Sequence, residues 1–193
     1  ILPISEKQSE YCKEIEENEQ SFAFDGFTIE AFKVQHNVTC YGYSVKVARS
    51  GKFSVDKAKE NEIPMKYWSK LQKGEIIEDD GKVYTPEMVL GEARKGLKVT
   101  YCTDTRPVPS IVKNAAEADL FVCEGMYGEQ EKLNKAKEHK HMTFFEAATL
   151  AKEAKVKELW LTHYSPALTR AEEFIPETRK IFPNTYPGKD GKS

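Results

Sequence analysis

The chain has 193 residues, 39% of them apolar and 31% charged, with a formal net charge of −2. This is a soluble globular composition and excludes a disordered, collagenous or fibrous chain. No window reaches the ~18–20 uninterrupted apolar residues of a membrane-spanning helix, and Ile1-Leu2-Pro3-Ile4-Ser5-Glu6-Lys7 lacks the basic-then-apolar build of a signal peptide. A soluble, unexported protein with no membrane partner is expected. The chain starts without methionine, so it is also expected to be the later part of something longer.

Residues 5–30 carry eight acids against Lys7 and Lys13. Within and after this stretch, Phe27 to Val34 and Tyr41 to Val47 alternate with period two and read as neighbouring strands. Residues 46–73 reverse the charge, with eight bases against Asp56, Glu60 and Glu62; such a switch speaks of partners rather than of fold. Pro64 divides this stretch into two short helices, Val55 to Asn61 and Lys66 to Gln72. Glu75 to Glu78 and Lys82 to Tyr84 flank Asp79-Asp80-Gly81, a hairpin signal.

From residue 97 strands and helices alternate. Strands are expected at Leu97–Cys102, Asp119–Cys123 and Glu158–Leu161, and helices at Pro109–Ala118, Glu131–Glu138, Thr143–Ala154 and Ala171–Ile181. Such alternation implies an α/β fold with parallel strands covered by helices. The tail from Gly188 to Ser193 is expected to be disordered. Cys12, Cys40, Cys102 and Cys123 form no C-x-x-C pair and read as free thiols of a reducing compartment, with Cys102 and Cys123 as small buried hydrophobes.

The residues that follow the strands carry chemistry. His36, Asp104, Glu124 and His163 each stand at a strand end, where α/β sheets gather ligands. Imidazole and carboxylate delivered there suit zinc, manganese or iron. Each also has an ordinary reading as a turn or cap residue, and Glu124 as an acceptor of backbone hydrogen bonds. Thr143-Phe144-Phe145-Glu146 has capping-box spacing, which starts a helix at Thr143 and turns Phe144, Ala148 and Ala151 to the core. His139 and His141 then precede a helix N-terminus, where an anion is favoured and a histidine can donate a proton or can be a plain loop residue.

The runs Val99-Thr100-Tyr101-Cys102-Thr103-Asp104-Thr105-Arg106-Pro107, Ala118 to Glu124, His141-Met142-Thr143, Leu161-Thr162-His163-Tyr164-Ser165 and Phe182-Pro183-Asn184-Thr185 resemble the carboxyl-terminal portion of ribonuclease Z. That family trims the 3′ trailer from precursor tRNA on a metallo-β-lactamase fold. His36 to Tyr43 also resembles its histidine motif before a basic arm. The resemblance implies half or more of an αββα sandwich, with the arm at about 48–95 and residues 1–193 as the later part of one domain. It implies two zinc ions, with manganese as the alternative, held by His36, Asp104 and His163, Asp104 bridging. It implies His141 in proton transfer, Glu124 behind the ligands, and RNA on Lys66, Lys70 and Lys73 around Tyr67 and Trp68. A cytoplasmic homodimer acting on precursor tRNA is the corresponding expectation.

Two departures stand out. The family's H-x-H-x-D-H motif is absent, since the only histidines are His36, His139, His141 and His163. The chain is therefore expected to need an amino-terminal half and to be inactive alone, with one apolar sheet face left uncovered. The arm, Ile63 to Leu71, lacks the family's Gly-Pro step. The rival readings are another hydrolase of this fold, arylsulfatase-like or a small phosphodiesterase, and a non-catalytic half that binds RNA or dimerises.

Overall fold

The computed structural model describes residues 13–189 and Gly191. Cys12, the acids Glu6 and Glu10, and Asp190, Lys192 and Ser193 of the expected disordered tail lie outside the described residues. Seven strands form one sheet in the order β1-β2-β3-β6-β7-β8-β9: β1 (Glu19–Phe24), β2 (Phe27–Gln35), β3 (Thr39–Arg49), β6 (Arg94–Cys102), β7 (Leu120–Glu124), β8 (Glu158–Thr162) and β9 (Thr185–Pro187). The last four run parallel, joined by crossovers, whereas β1 and β2 form an antiparallel hairpin. No helix among the described residues is long and apolar enough to cross a membrane.

Helices α3 (Pro109–Ala115) and α5 (Phe144–Glu153) cover one face of the sheet, α3 on β2 and α5 on β7 and β8. Phe32, Cys102, Phe121, Cys123, Leu159 and Leu161 point into this core beside Ile111, Met142 and Phe144. Cys102 and Cys123 are both fully buried, as their apolar runs predict. Phe144, Ala148 and Ala151 are buried as the capping box requires. Gly125 lets these layers close, because a Cβ there would stand 2.7 Å from the Phe144 ring.

The alternate residues of the strands point the other way. Tyr101, Val122, Trp160 and Tyr186 are paired in register across β6 to β9. Tyr101 is 48% exposed and Val99, two residues back along the strand, 38%. This face of the sheet therefore carries apolar side chains that are partly exposed.

A separate compact unit spans Val47–Leu97. Its helices α1 (Val55–Glu60) and α2 (Met65–Gln72) close over Ala58, Ile63, Tyr67, Leu71 and Val89, and its hairpin pairs β4 (Ile77–Asp79) with β5 (Lys82–Tyr84). Asp80 and Gly81, at φ 48° and 70°, make the two-residue turn that Asp-Gly favours.

The structure corrects three details of the sequence reading. The continuous helix expected over Ala171–Ile181 is a 3-10 turn, Ala171–Phe174, followed by the four-residue α6 (Ile175–Thr178). Pro176 lacks the N–H that a continuous helix would need and sits in the first turn of α6. The helix expected at Glu131–Glu138 is α4 (Leu133–His139), preceded by a 3-10 turn over Gln130–Lys132. Strands β1 and β9 appear where none was expected, β1 because the acidic run hides a hairpin whose turn is Asp25-Gly26, with Phe24 opposite Phe27.

Candidate metal centre

Four strand-end residues converge at one edge of the sheet. His36 follows β2, Asp104 follows β6, Glu124 ends β7 and His163 follows β8. The ligand atoms of His36, Asp104 and His141 all lie within 4.8 Å of one another. His163 Nε2 stands 2.6 Å from Asp104 Oδ1. The His141 ring centroid is 5.0 Å from that of His36 and 5.4 Å from that of His163.

Backbone geometry aims these groups. Asp104 and His163 hold φ of 50° and 57°, and Lys140, next to His141, holds 58°. Left-handed conformations at non-glycine residues cost energy and persist where surrounding structure enforces them. Here they turn the chain sharply at the strand ends. Lys140, as the left-handed cap of α4, sends the chain back toward Thr143, whose side chain accepts from Glu146 N to start α5.

Hydrogen bonds set the tautomers. His36 Nδ1 lies 3.1 Å from the Lys140 carbonyl, to which it can only donate, so the Nε2 lone pair is left for a ligand. His141 Nδ1 lies 3.2 Å from both oxygens of Glu124. Glu124 is fully buried and also accepts from Thr105 N at 2.5 Å and Met142 N at 3.1 Å. Burial pushes its carboxyl up to about 7, the two N–H donors and His163 opposing and Asp104 assisting. Burial also lowers the His141 pKa; His36 adds to this and Asp104 resists it.

The donor chemistry fits a divalent transition metal: neutral imidazoles and one carboxylate, with imidazole Nδ1 atoms held by a carbonyl and a carboxylate behind them. Of the three residues expected as ligands, His36 and Asp104 share the cluster directly and His163 touches Asp104. His141, expected to move a proton, stands inside the same cluster. Glu124 receives the backbone hydrogen bonds that its ordinary reading foresaw and also holds His141. His139 closes α4 and is not among the clustered groups. Arg106 and Glu146 are additions that strand-end reasoning missed. They form a buried-edge ion pair, and the Arg106 guanidinium also donates to the His141 carbonyl.

In the Val47–Leu97 unit, Lys70 and Lys73 are exposed, and Lys66 pairs with Asp79 at 3.1 Å where the Tyr67 hydroxyl also donates. Trp68 is half-buried against Phe53, its Nε1 donating to Ile63 O at 2.9 Å.

A family model described as a beta-lactamase superfamily domain matches residues 77–164. The ribonuclease Z of Agathobacter rectalis is 60% identical over 182 residues, covering 94% of this chain and 60% of that protein. The ribonuclease Z of Lachnoclostridium phytofermentans is 57% identical over 180 residues, covering 93% and 59%. Among solved structures, the metallo-beta-lactamase fold protein YhfI from Bacillus subtilis superposes with a TM-score of 0.56 at 21% identity, covering 91% of this chain and 52% of that one. The short form of human tRNase Z gives a TM-score of 0.54 at 22% identity, covering 91% and 46%. These likenesses show the metallo-β-lactamase fold, and the chain spans about three-fifths of the length of the curated relatives it matches.

Proposed function

We propose that this chain, a homologue of the ribonuclease Z proteins on a metallo-β-lactamase fold, supplies one part of a zinc-dependent endoribonuclease that removes the 3′ trailer from precursor tRNA. The observation that carries the reading is the convergence of His36, Asp104, His141 and His163 at one sheet edge, with His141 backed by buried Glu124. His36, Asp104 and His163 would hold the metal, Asp104 from between the histidines. When bound, a metal pair stabilises the charge of the phosphodiester and of its in-line transition state.

The chain's own residues do the remaining work in this reading. His141 delivers a proton from Nε2 to the leaving oxygen, and Glu124, 3.2 Å from Nδ1, holds the orientation of its ring. The N–H groups of Thr105 and Met142 fix Glu124 so that it cannot swing out of reach. Lys66, Lys70 and Lys73 contact phosphates of the precursor, which positions it without reading sequence.

The exposed Tyr101 and Val99 on one sheet face and the small donor set among the described residues support completion of both sandwich and metal centre from outside these 193 residues. The reading also carries a cytoplasmic homodimer. Its test is cleavage, by the complete protein, of precursor tRNA beside a small bis-aryl phosphodiester. Metal-dependent release of the 3′ trailer is expected. Turnover of the small ester with the precursor left intact would replace this reading by that of another hydrolase of the same fold.

A further inference from the structure

We propose that Arg106 is a positioning residue that ties the segments bearing His36, Asp104 and His141 into one rigid edge. The inference rests on the reading of His141 as the proton donor. Three sets of contacts carry it. The Arg106 backbone N–H donates to Gln35 O at 2.9 Å, one residue before His36. Its neighbour Thr105 accepts at Oγ1 from Gln35 N at 3.0 Å, while Thr105 N donates to Glu124. The guanidinium reaches across to donate to the His141 carbonyl and forms a two-pronged pair with Glu146, Nη1 standing 3.1 Å from Oε2.

The Glu146 carboxylate has a second task that makes the arrangement directional. Its Oε2 accepts from Thr143 N at 3.0 Å, which completes the capping box of α5. Arg106 therefore grips the His141–Thr143 segment at both ends: at the carbonyl of His141 and, through Glu146, at the cap two residues on. The planar fork of arginine satisfies carbonyl and carboxylate together, whereas a lysine ammonium holds one point. Both side chains are mostly buried, at 14% and 20% exposure, so water replaces them poorly. No contact of the Arg106 side chain to His36, Asp104 or His163 is needed; it acts through the backbone that presents His141.

The consequence is that Arg106 governs the aim of the His141 imidazole rather than metal retention. A misplacement of about 1 Å can cost on the order of 10²-fold in rate. Three readouts on the complete protein test this: steady-state cleavage of precursor tRNA, bound zinc, and the side-chain ¹⁵N resonances of His141. For Arg106→Lys, kcat should fall by about 10–10²-fold with KM little changed. Zinc content should stay at the parent level, and the His141 resonances should move. Glu146→Gln, which keeps the side chain's shape, should shift the same resonances in the same sense, and serves if Arg106→Lys fails to fold. Parent-like kcat with unmoved His141 resonances overturns the proposal, as does a loss of zinc matching the loss of activity. If the parent protein itself leaves precursor tRNA intact, the nuclease reading fails, and the resonance shifts still decide the positioning role.

Discussion

His163 Nε2 stands 2.6 Å from Asp104 Oδ1, and both residues hold left-handed backbone, at φ 57° and 50°. Asparagine tolerates this conformation and alanine does not, the penalty for the latter being about 1–2 kcal/mol. Asp104→Asn and Asp104→Ala should both lose metal. In metal-free protein only Asp104→Ala should show the lower denaturation midpoint. Equal midpoints would show that the backbone at 104 carries no strain of its own.

His141 stands where it could either ligate or donate a proton, and one substitution separates the two. General acid catalysis contributes ~10²–10⁴-fold, so His141→Ala should lower single-turnover cleavage on that scale while bound zinc stays near the parent content. Loss of a zinc ion would make His141 a ligand, as its place beside His36 and Asp104 permits. Cleavage at the parent rate would leave it an ordinary loop residue.

His36, Asp104, Glu124 and His163 were legible as strand-end groups because a period-two run marks the strand before His36, short apolar runs mark the other three, and a ligand-type side chain follows each within a residue or two. The capping box revealed α5 for a similar reason: its signal is local. The role of Arg106 was not legible, since its partners His141 and Glu146 lie 35 and 40 residues away and only the fold brings them near. Strand β1 was hidden by acids, because an edge strand with one solvent side needs little apolar content, and β9 by having only three residues. The inclusion of His141 among the clustered donors also depends on the left-handed turn at Lys140, which sequence spacing does not announce.

The arm offers unequal lysines. Lys66, Lys70 and Lys73 are all exposed, but Lys66 is also held by Asp79 at 3.1 Å and lies over the Tyr67 ring. Each lysine withdrawn from a phosphate should reduce the salt slope of precursor binding by about one. Replacing Lys66, Lys70 and Lys73 together with alanine should weaken precursor binding and flatten its salt dependence, with turnover of a small phosphodiester spared. Equal losses on both substrates would point to damage to the fold.

The clustered donors among the described residues are few for two ions. Zinc prefers four ligands, and His36, Asp104, His141 and His163 cannot give two ions four each. Titration of the 193-residue chain with zinc should therefore show weak binding, tightened by adding the segment of the relatives that this chain does not span. Tight binding of two zinc ions by the chain alone would overturn completion from outside.

Glu124 should leave a signature in the pH dependence of stability. Burial raises its carboxyl from an ordinary 4.5 to about 7. Between those values the folded state keeps a proton that the unfolded state gives up, so this residue's contribution is complete below about pH 4.5 and is lost as pH rises through about 7. His141 slopes the other way: burial lowers its pKa from 6.5, so its contribution is present above that value and falls away in acid. Glu124→Gln removes the first slope and leaves the second. The variant should be less stable in acid by about 1–3 kcal/mol, because Thr105 N and Met142 N donate to different carboxyl oxygens and the amide NH2 that replaces one of them cannot accept. Chemical denaturation of metal-free protein should show the parent losing ground to this variant as pH rises from about 4.5 to about 7, by no more than about 3 kcal/mol. Parallel profiles for parent and variant would mean that Glu124 is ionised throughout, its two N–H donors and His163 outweighing burial.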